Sequence, residues 1–256
     1  MAAEFIESEL LRAAGFRHAF FTRRGGVSEG PYASLNFSRA VGDDAARVAS
    51  NVALAGAALG VEAKRVHFLS QVHGAVTHVL WGDETPEQVL ALEGDALVSR
   101  HGTLACGVRS ADCVPILVAD RASGAVVAIH AGWRGVVGGA VESGVAALRE
   151  QAGAAGELVA AVGPHIRVGA FEVSEDVAGE LEGASPVAGV VERSGAKPHV
   201  SLARIVHGKL RELGLEDAAI DDVGGCTVTE PERFFSFRRN GKLGGRHLSA
   251  IVARPR

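Results

Sequence analysis

Two short apolar runs, VPILVA at 114–119 and AVVAIH at 125–130, constrain this chain more than any other feature. Both are β-rich, short and bounded by turn residues, so each is predicted to be a buried strand. Asp120, Ser123 and Gly124 in the intervening DRASG suit a hairpin turn. Antiparallel pairing then sets Cys113, at the start of the first strand, close to His130, at the end of the second. A thiol and an imidazole at one sheet edge can hold a borderline metal such as zinc, or act as nucleophile and base. The plainer alternative is a buried free cysteine beside a satisfied core histidine. The neighbours favour a ligand rim: Asp112 precedes Cys113, and His130 runs into Ala131-Gly132-Trp133-Arg134-Gly135.

The rest of the composition narrows the setting. With 47% hydrophobic residues but only 5% aromatics, 256 residues can build a full aliphatic core, read here as one domain over 1–256. A net charge of −4 gives no electrostatic reason to expect nucleic acid or an anionic membrane as partner. The basic run Arg238-Arg239-Asn240-Gly241-Lys242 is the local exception, read as a solvated loop. Three cysteines are too few and too unevenly placed for a disulfide framework, which fits a reducing compartment. The first residues carry early acids and no signal-type apolar region, and no window approaches a membrane span. A soluble, cytoplasmic protein is the expectation.

Further elements follow in order. HAFFT reads as a strand before the long Gly/Pro/Ser loop RRGGVSEGPYAS. A helix over 44–60 starts at an aspartate cap, with Val48, Val52, Ala55 and Leu59 on its core stripe. Strands are predicted at 66–74, 76–80, 94–99 and 103–108, and a glycine-rich helix at 135–150 whose start, directly after Arg134, offers N–H groups to an anion. A strand at 158–166, a helix at 201–213 capped by Ser201, and two strands at 234–238 and 248–253 complete the reading. Interspersed strands and helices predict a layered α/β fold around a mixed sheet.

His73, in QVHG, stands before a glycine at a predicted strand end, as His130 does. Together His73, Cys113 and His130 make a sensible zinc shell, and three protein ligands leave the fourth position for water or substrate. Nucleophilic catalysis by Cys113 with His130 remains the other chemical reading. Cys106 sits mid-strand and reads as inert packing, and His67 and His78 as ordinary half-buried histidines. A multicopper cluster fits poorly: ten histidines include no His-x-His pair, and Met1 is the only methionine.

SLNFSRAVGDD, SQVHG, GDALVSR, RSADCVPILVAD, AIHAGWRG, AVGPHI with FEV, and FFSFRRNG…GGR resemble, in order, the YfiH family, also called the laccase-domain, multicopper polyphenol oxidase or peptidoglycan editing factor family. The resemblance spans essentially the whole chain. It implies a three-layer α/β/α sandwich with mixed β-sheets, and zinc (Zn2+) on the residues matching His73, Cys113 and His130. It also implies a purine nucleoside phosphorylase acting on adenosine, inosine, guanosine and methylthioadenosine, with adenosine deaminase activity. For deamination, Asp112 or Asp95 is the candidate proton shuttle. For phosphorolysis, Arg134 and Arg246 are the anion candidates, and Asn36 a polar substrate contact. Departures fall outside the metal shell. Asn51-Val52 stands where the family often has Asn-Arg, and Arg47, one helical turn earlier, is the substitute cation. Phe171 replaces the family's Tyr, and Ser201-Leu202 replaces Asp-Leu. A cysteine hydrolase editing a peptidoglycan precursor through Cys113, and a non-catalytic metal- or nucleoside-binding protein, are the alternatives.

Overall fold

A computed structural model describes residues 2–153 and 156–254. Its six-stranded sheet comprises β4 (Thr77–Leu80), β5 (Ala96–Ser99), β7 (Val114–Asp120), β8 (Val126–Ala131), β9 (Leu158–Val162) and β12 (Ile220–Asp222), in the order β12-β9-β7-β8-β5-β4. The five-stranded sheet comprises β1 (Phe5–Ile6), β2 (His18–Phe21), β3 (Val66–His67), β6 (Ala105–Ser110) and β13 (His247–Val252), in the order β1-β2-β13-β6-β3. Both are mixed, each with parallel and antiparallel pairs. A third pair joins β10 (Val191–Glu192) to β11 (His199–Val200).

Helices cover both sides, as the mixed α/β reading requires, and the β layer between them is two sheets thick. Val127 and Ile129 of β8 pack outward with Val141, Val145 and Leu148 of α5 (Ala140–Ala152) and Ile205 and Leu210 of α7 (Leu202–Glu212). Val126 and Ala128 of the same strand turn inward, to a core shared with Cys106 and Val108 of β6 and Ile251 of β13. The outer face of the five-stranded sheet is covered by α2 (Ala45–Leu59) through Ala55 and Leu59. This explains the unbroken apolar runs: a strand buried on both faces has no polar parity to display.

The β7–β8 hairpin is in the predicted register, with Val114 opposite Ala131 and Pro115 opposite His130. Asp44 caps α2 by accepting from the Ala46 and Arg47 amides, and Gly60 ends it at φ 66°. Ser201 caps α7 as expected. Three local expectations are corrected. The strand predicted at 66–74 stops at His67, and the rest is a loop in which His73 takes φ 60°. The helix predicted at 135–150 is two, α4 (Trp133–Val137) and α5, divided where Gly139 adopts φ 86°. Arg134 therefore lies inside a five-residue helix, not ahead of a long one. The segment 234–238 is not a strand: Phe234 and Phe235 are buried, and Ser236 caps the short α8 (Phe237–Asn240) by accepting from the Arg239 amide.

Candidate metal centre

The three expected ligands converge. The donor atoms of His73, Cys113 and His130 all lie within 4.8 Å of one another. The His73 and His130 rings meet edge to face at 4.9 Å between centroids. His130 is buried, Cys113 half-buried and His73 exposed, so the cluster opens to solvent on the His73 side. The hairpin supplies two ligands, one from each strand at the same edge, and the loop after β3 supplies the third.

Asp95 holds this arrangement together. It is fully buried. One carboxylate oxygen sits 2.8 Å from His130 Nδ1, so the ring donates there and turns Nε2 toward the other two donors. The same carboxylate accepts the backbone N–H groups of Val72, His73 and Gly74, at 3.3, 3.1 and 2.7 Å. A non-glycine residue at positive φ costs about 1–3 kcal/mol. Three charge-assisted hydrogen bonds at roughly 1.5–3 kcal/mol each exceed that cost, which keeps His73 in its left-handed conformation. Burial pushes the Asp95 carboxyl up, but the His130 bond and the Gly74 amide outweigh it and hold it below the usual carboxylate range.

The electrostatics run through the same chain. Burial opposes ionisation of the Cys113 thiol, yet the charge and hydrogen bond of His130, helped by His73, bring its pKa down to about 6. Burial likewise opposes protonation of His130, but the Cys113 thiolate and Asp95 raise it to about 9. The two shifts share one cause, the mutual attraction of thiolate and imidazolium backed by the Asp95 carboxylate. Gly132, between β8 and α4, is sterically required: a Cβ there would meet His73 Cδ2 at 2.6 Å and the Cys113 sulfur at 3.0 Å.

The remaining candidates divide. Asp112 takes φ 103° beside Cys113, and its carboxylate oxygens accept from the Thr227 hydroxyl and the Arg238 amide, both at 2.6 Å. It ties the thiol-bearing turn to the C-terminal basic segment. Arg246 is half-buried, close enough to Asp112 and Cys113 to feel both charges, while burial pushes its pKa down. Its Nη1 donates to the carbonyls of Gly244 and Gly245. Asn36 is fully buried, accepting from the Arg246 amide and donating to Asp43 and the Ser38 carbonyl, so it props the Arg246 segment from within. Arg134 is exposed and stacks over Trp133 at 4.4 Å. Arg47 is paired with Glu29 at 2.9 Å, and nothing draws it to the cluster. Asn51 ties the first loop internally, to the Val27 amide, the Ser28 hydroxyl and the Asn36 carbonyl. Thr227 carries no motif that sequence alone would single out, and Gln71 and Arg238, though inside the quoted motifs SQVHG and FFSFRRNG, carry no role there that sequence alone would assign. Gln71 holds both the N–H and C=O of Arg109 at 2.7 Å, two residues before His73.

Fold and cluster together define a mixed α/β protein with a metal-competent His/Cys/His site on a hairpin edge. The model of a family described as multi-copper polyphenol oxidoreductase laccase matches residues 17–254. The chain is 39% identical over 237 residues to a Streptomyces coelicolor protein named purine nucleoside phosphorylase, covering 90% of this chain and 94% of the relative. It is 40% identical over 256 residues to a Deinococcus radiodurans protein of the same name, covering 96% and 93%. The crystal structure of YlmD from Geobacillus stearothermophilus superposes with a TM-score of 0.87 at 27% identity, covering 98% of this chain and 99% of that one. The chain belongs to this laccase-like, YfiH-type family.

Proposed function

We propose that this protein is a cytoplasmic zinc enzyme of purine nucleosides, cleaving adenosine, inosine, guanosine and methylthioadenosine with phosphate and deaminating adenosine. The observation that carries the reading is the convergence of His73, Cys113 and His130 on one point, in a chain whose relatives are named purine nucleoside phosphorylases. Two imidazoles and an acidified thiol are a donor set that suits zinc, and the exposed His73 side leaves room for a further ligand. Bound zinc supplies Lewis acidity toward a polar atom of the substrate.

The chain's own groups do the rest. In phosphorolysis a phosphate oxygen forms the new bond to C1′ as the C1′–N9 bond breaks, and the purine departs with a proton. Arg246, near enough to Cys113 and Asp112 to feel their charge, is assigned to the phosphate together with exposed Arg134. Asn36 sets the position of Arg246 through the backbone. In deamination, water adds at C6 and ammonia leaves. Asp95 is sealed from solvent, so of the two carboxylates the half-buried Asp112 is the one placed to move a proton. No helix among the described residues is long and apolar enough to cross a membrane.

The test is metal analysis of the purified protein alongside purine release from inosine with and without phosphate. Stoichiometric zinc and phosphate-dependent release are expected in the native protein, and both should vanish in Cys113→Ala. Release that persists after metal is stripped, or that ignores phosphate, would sink the proposal. One observation favours a second reading: Asp95, His130 and Cys113 form a carboxylate–imidazole–thiolate chain with the thiol at about 6. A cysteine hydrolase acting on a peptidoglycan precursor would keep a metal-independent, alkylation-sensitive amidase activity in the same preparation.

A further inference from the structure

A cavity of about 790 Å³ lies between α2, the segment 63–70 and the segment 82–90, which ends in the short helix α3 (Pro86–Leu90), and none of the metal-cluster residues lines it. That volume is in the range of ordinary small-molecule sites. Val48 and Val52 of α2 form one apolar wall, and Val66 and Phe68 the other. Of the cations that line it, Lys64 is paired with Glu62 and the Arg65 guanidinium donates to the carbonyls of Gly82 and Thr103, whereas Arg109 is half-buried with its guanidinium 4.5 Å over the Phe68 ring. Among the described residues, one of its five donors is used, Nη2 to the Leu69 carbonyl at 3.0 Å. Among the described residues no carboxylate pairs with it. Burial, with the nearby charge of Arg246, brings its pKa down to about 10. A guanidinium held in an apolar wall with unspent donors is costly unless something answers it.

The other charges set an orientation. Arg39 is exposed at the cavity edge, adding positive potential, while Asp83, Glu84 and Glu87 line the cavity from the segment 82–90. Glu84 is engaged with the Trp81 and Gly82 amides. An anionic group is therefore drawn toward Arg109 on β6 and repelled from the acidic segment 82–90.

We propose that this cavity is a second small-molecule site, whose ligand carries one carboxylate, sulfonate or phosphate on an apolar body. The anion pairs with Arg109, and the body lies between Val52 and Phe68. The inference is independent of the reaction at the metal cluster. It also has a route to that cluster, since the Gln71 side chain grips the Arg109 backbone two residues ahead of His73.

The experiment is calorimetric titration of the intact, metal-loaded protein with two probes: 8-anilinonaphthalene-1-sulfonate for a flat body and octanoate for a flexible one. Saturable one-to-one binding of at least one probe is expected. The uncharged N-phenyl-1-naphthylamine should bind the same protein about tenfold or more weakly than the sulfonate. Arg109→Gln should weaken the bound probe by about tenfold or more, with Arg109→Lys recovering part of it. Ala49→Trp, placed on the exposed face of α2 that lines the cavity, should block binding while leaving the circular dichroism spectrum unchanged. The proposal is overturned if neither probe saturates the native protein, or if Ala49→Trp and Arg109→Gln bind with native affinity. Should Arg109→Gln not fold, Ala49→Trp decides alone.

Discussion

Two cysteine–histidine pairs near the sheet edges have opposite chemistry. Cys106 of β6 is the register partner of His67 of β3, and Cys113 stands beside His130 at the β7–β8 edge. Both Cys106 and His67 are fully buried. Burial pushes the Cys106 thiol far up and brings His67 down to about 4, so the pair is neutral. Neither ring nitrogen of His67 has a hydrogen-bond partner among the described residues. At the other pair the thiol is brought down to about 6 and the imidazole raised to about 9. Burial disfavours charge at both places. The difference is Asp95, which gives His130 a carboxylate, and His73, which brings a second imidazole to the sulfur. A cysteine beside a histidine is thus not a reactive site by itself; a buried carboxylate behind the imidazole makes it one.

The largest expected contrast is in thiol reactivity. In protein stripped of metal, iodoacetamide at pH 7 should label Cys113 and leave Cys106 untouched under native conditions, as read by peptide mass mapping. The Cys113 rate should climb as pH rises through about 6, because the thiolate reacts and the thiol does not. Equal labelling of both cysteines would erase the distinction between the pairs.

Next in size is Asp95→Asn, which keeps the shape but removes the charge behind His130. Metal affinity, measured by competition with a chelating dye, should fall roughly 10–100-fold. The Cys113 alkylation profile should also shift to higher pH, a change that a merely local packing defect would not produce. Native affinity in this variant would show that the His130–Asp95 contact does not set the site apart.

The smallest effect belongs to the inert pair. His67 has its pKa depressed in the folded state from about 6.5 to about 4, so the unfolded chain binds the extra proton between those values. Its contribution is fully present above about pH 6.5 and lost as pH falls through about 4. His67→Leu should therefore flatten the loss of stability over that window by on the order of 1–3 kcal/mol, with purine release unchanged at neutral pH. His165 and His247, similarly depressed by burial to about 4 and about 3, keep part of the slope. Urea melts at pH 7 and pH 5 measure the difference. An unchanged slope would mean that His67 finds a partner in solution.

Much of this contrast was legible in the chain, and the limits of that reading are local. Apolar runs at 114–119 and 125–130 dictated the hairpin, because a five-residue polar turn between two strands of matched length permits little else. That pairing in turn placed Cys113 beside His130. Asp44 before α2 and Ser201 before α7 were readable as caps because a cap is a contact within one turn. The strand expected at 66–74 and the one at 234–238 went astray for a shared reason: their apolar residues are buried by tertiary packing of a loop, which carries no period of its own. The motifs single out Asn36 as a substrate contact and Asp112 as a proton shuttle, but they cannot say that these side chains also hold the Arg246 amide, the Thr227 hydroxyl and the Arg238 amide.

By itself the sequence determined the β7–β8 hairpin, the caps of α2 and α7 and the three donors with chemistry suited to a metal, because each of those depends on residue type and short-range spacing. Only the tertiary structure decided that His73 swings onto the hairpin edge. It alone shows that Asp95 is the buried carboxylate that both orients His130 and grips the His73 loop, and that Gly132 leaves space for the sulfur. Those outcomes turn on distances between segments remote in sequence, set by how two sheets stack, and no local pattern of residues encodes them.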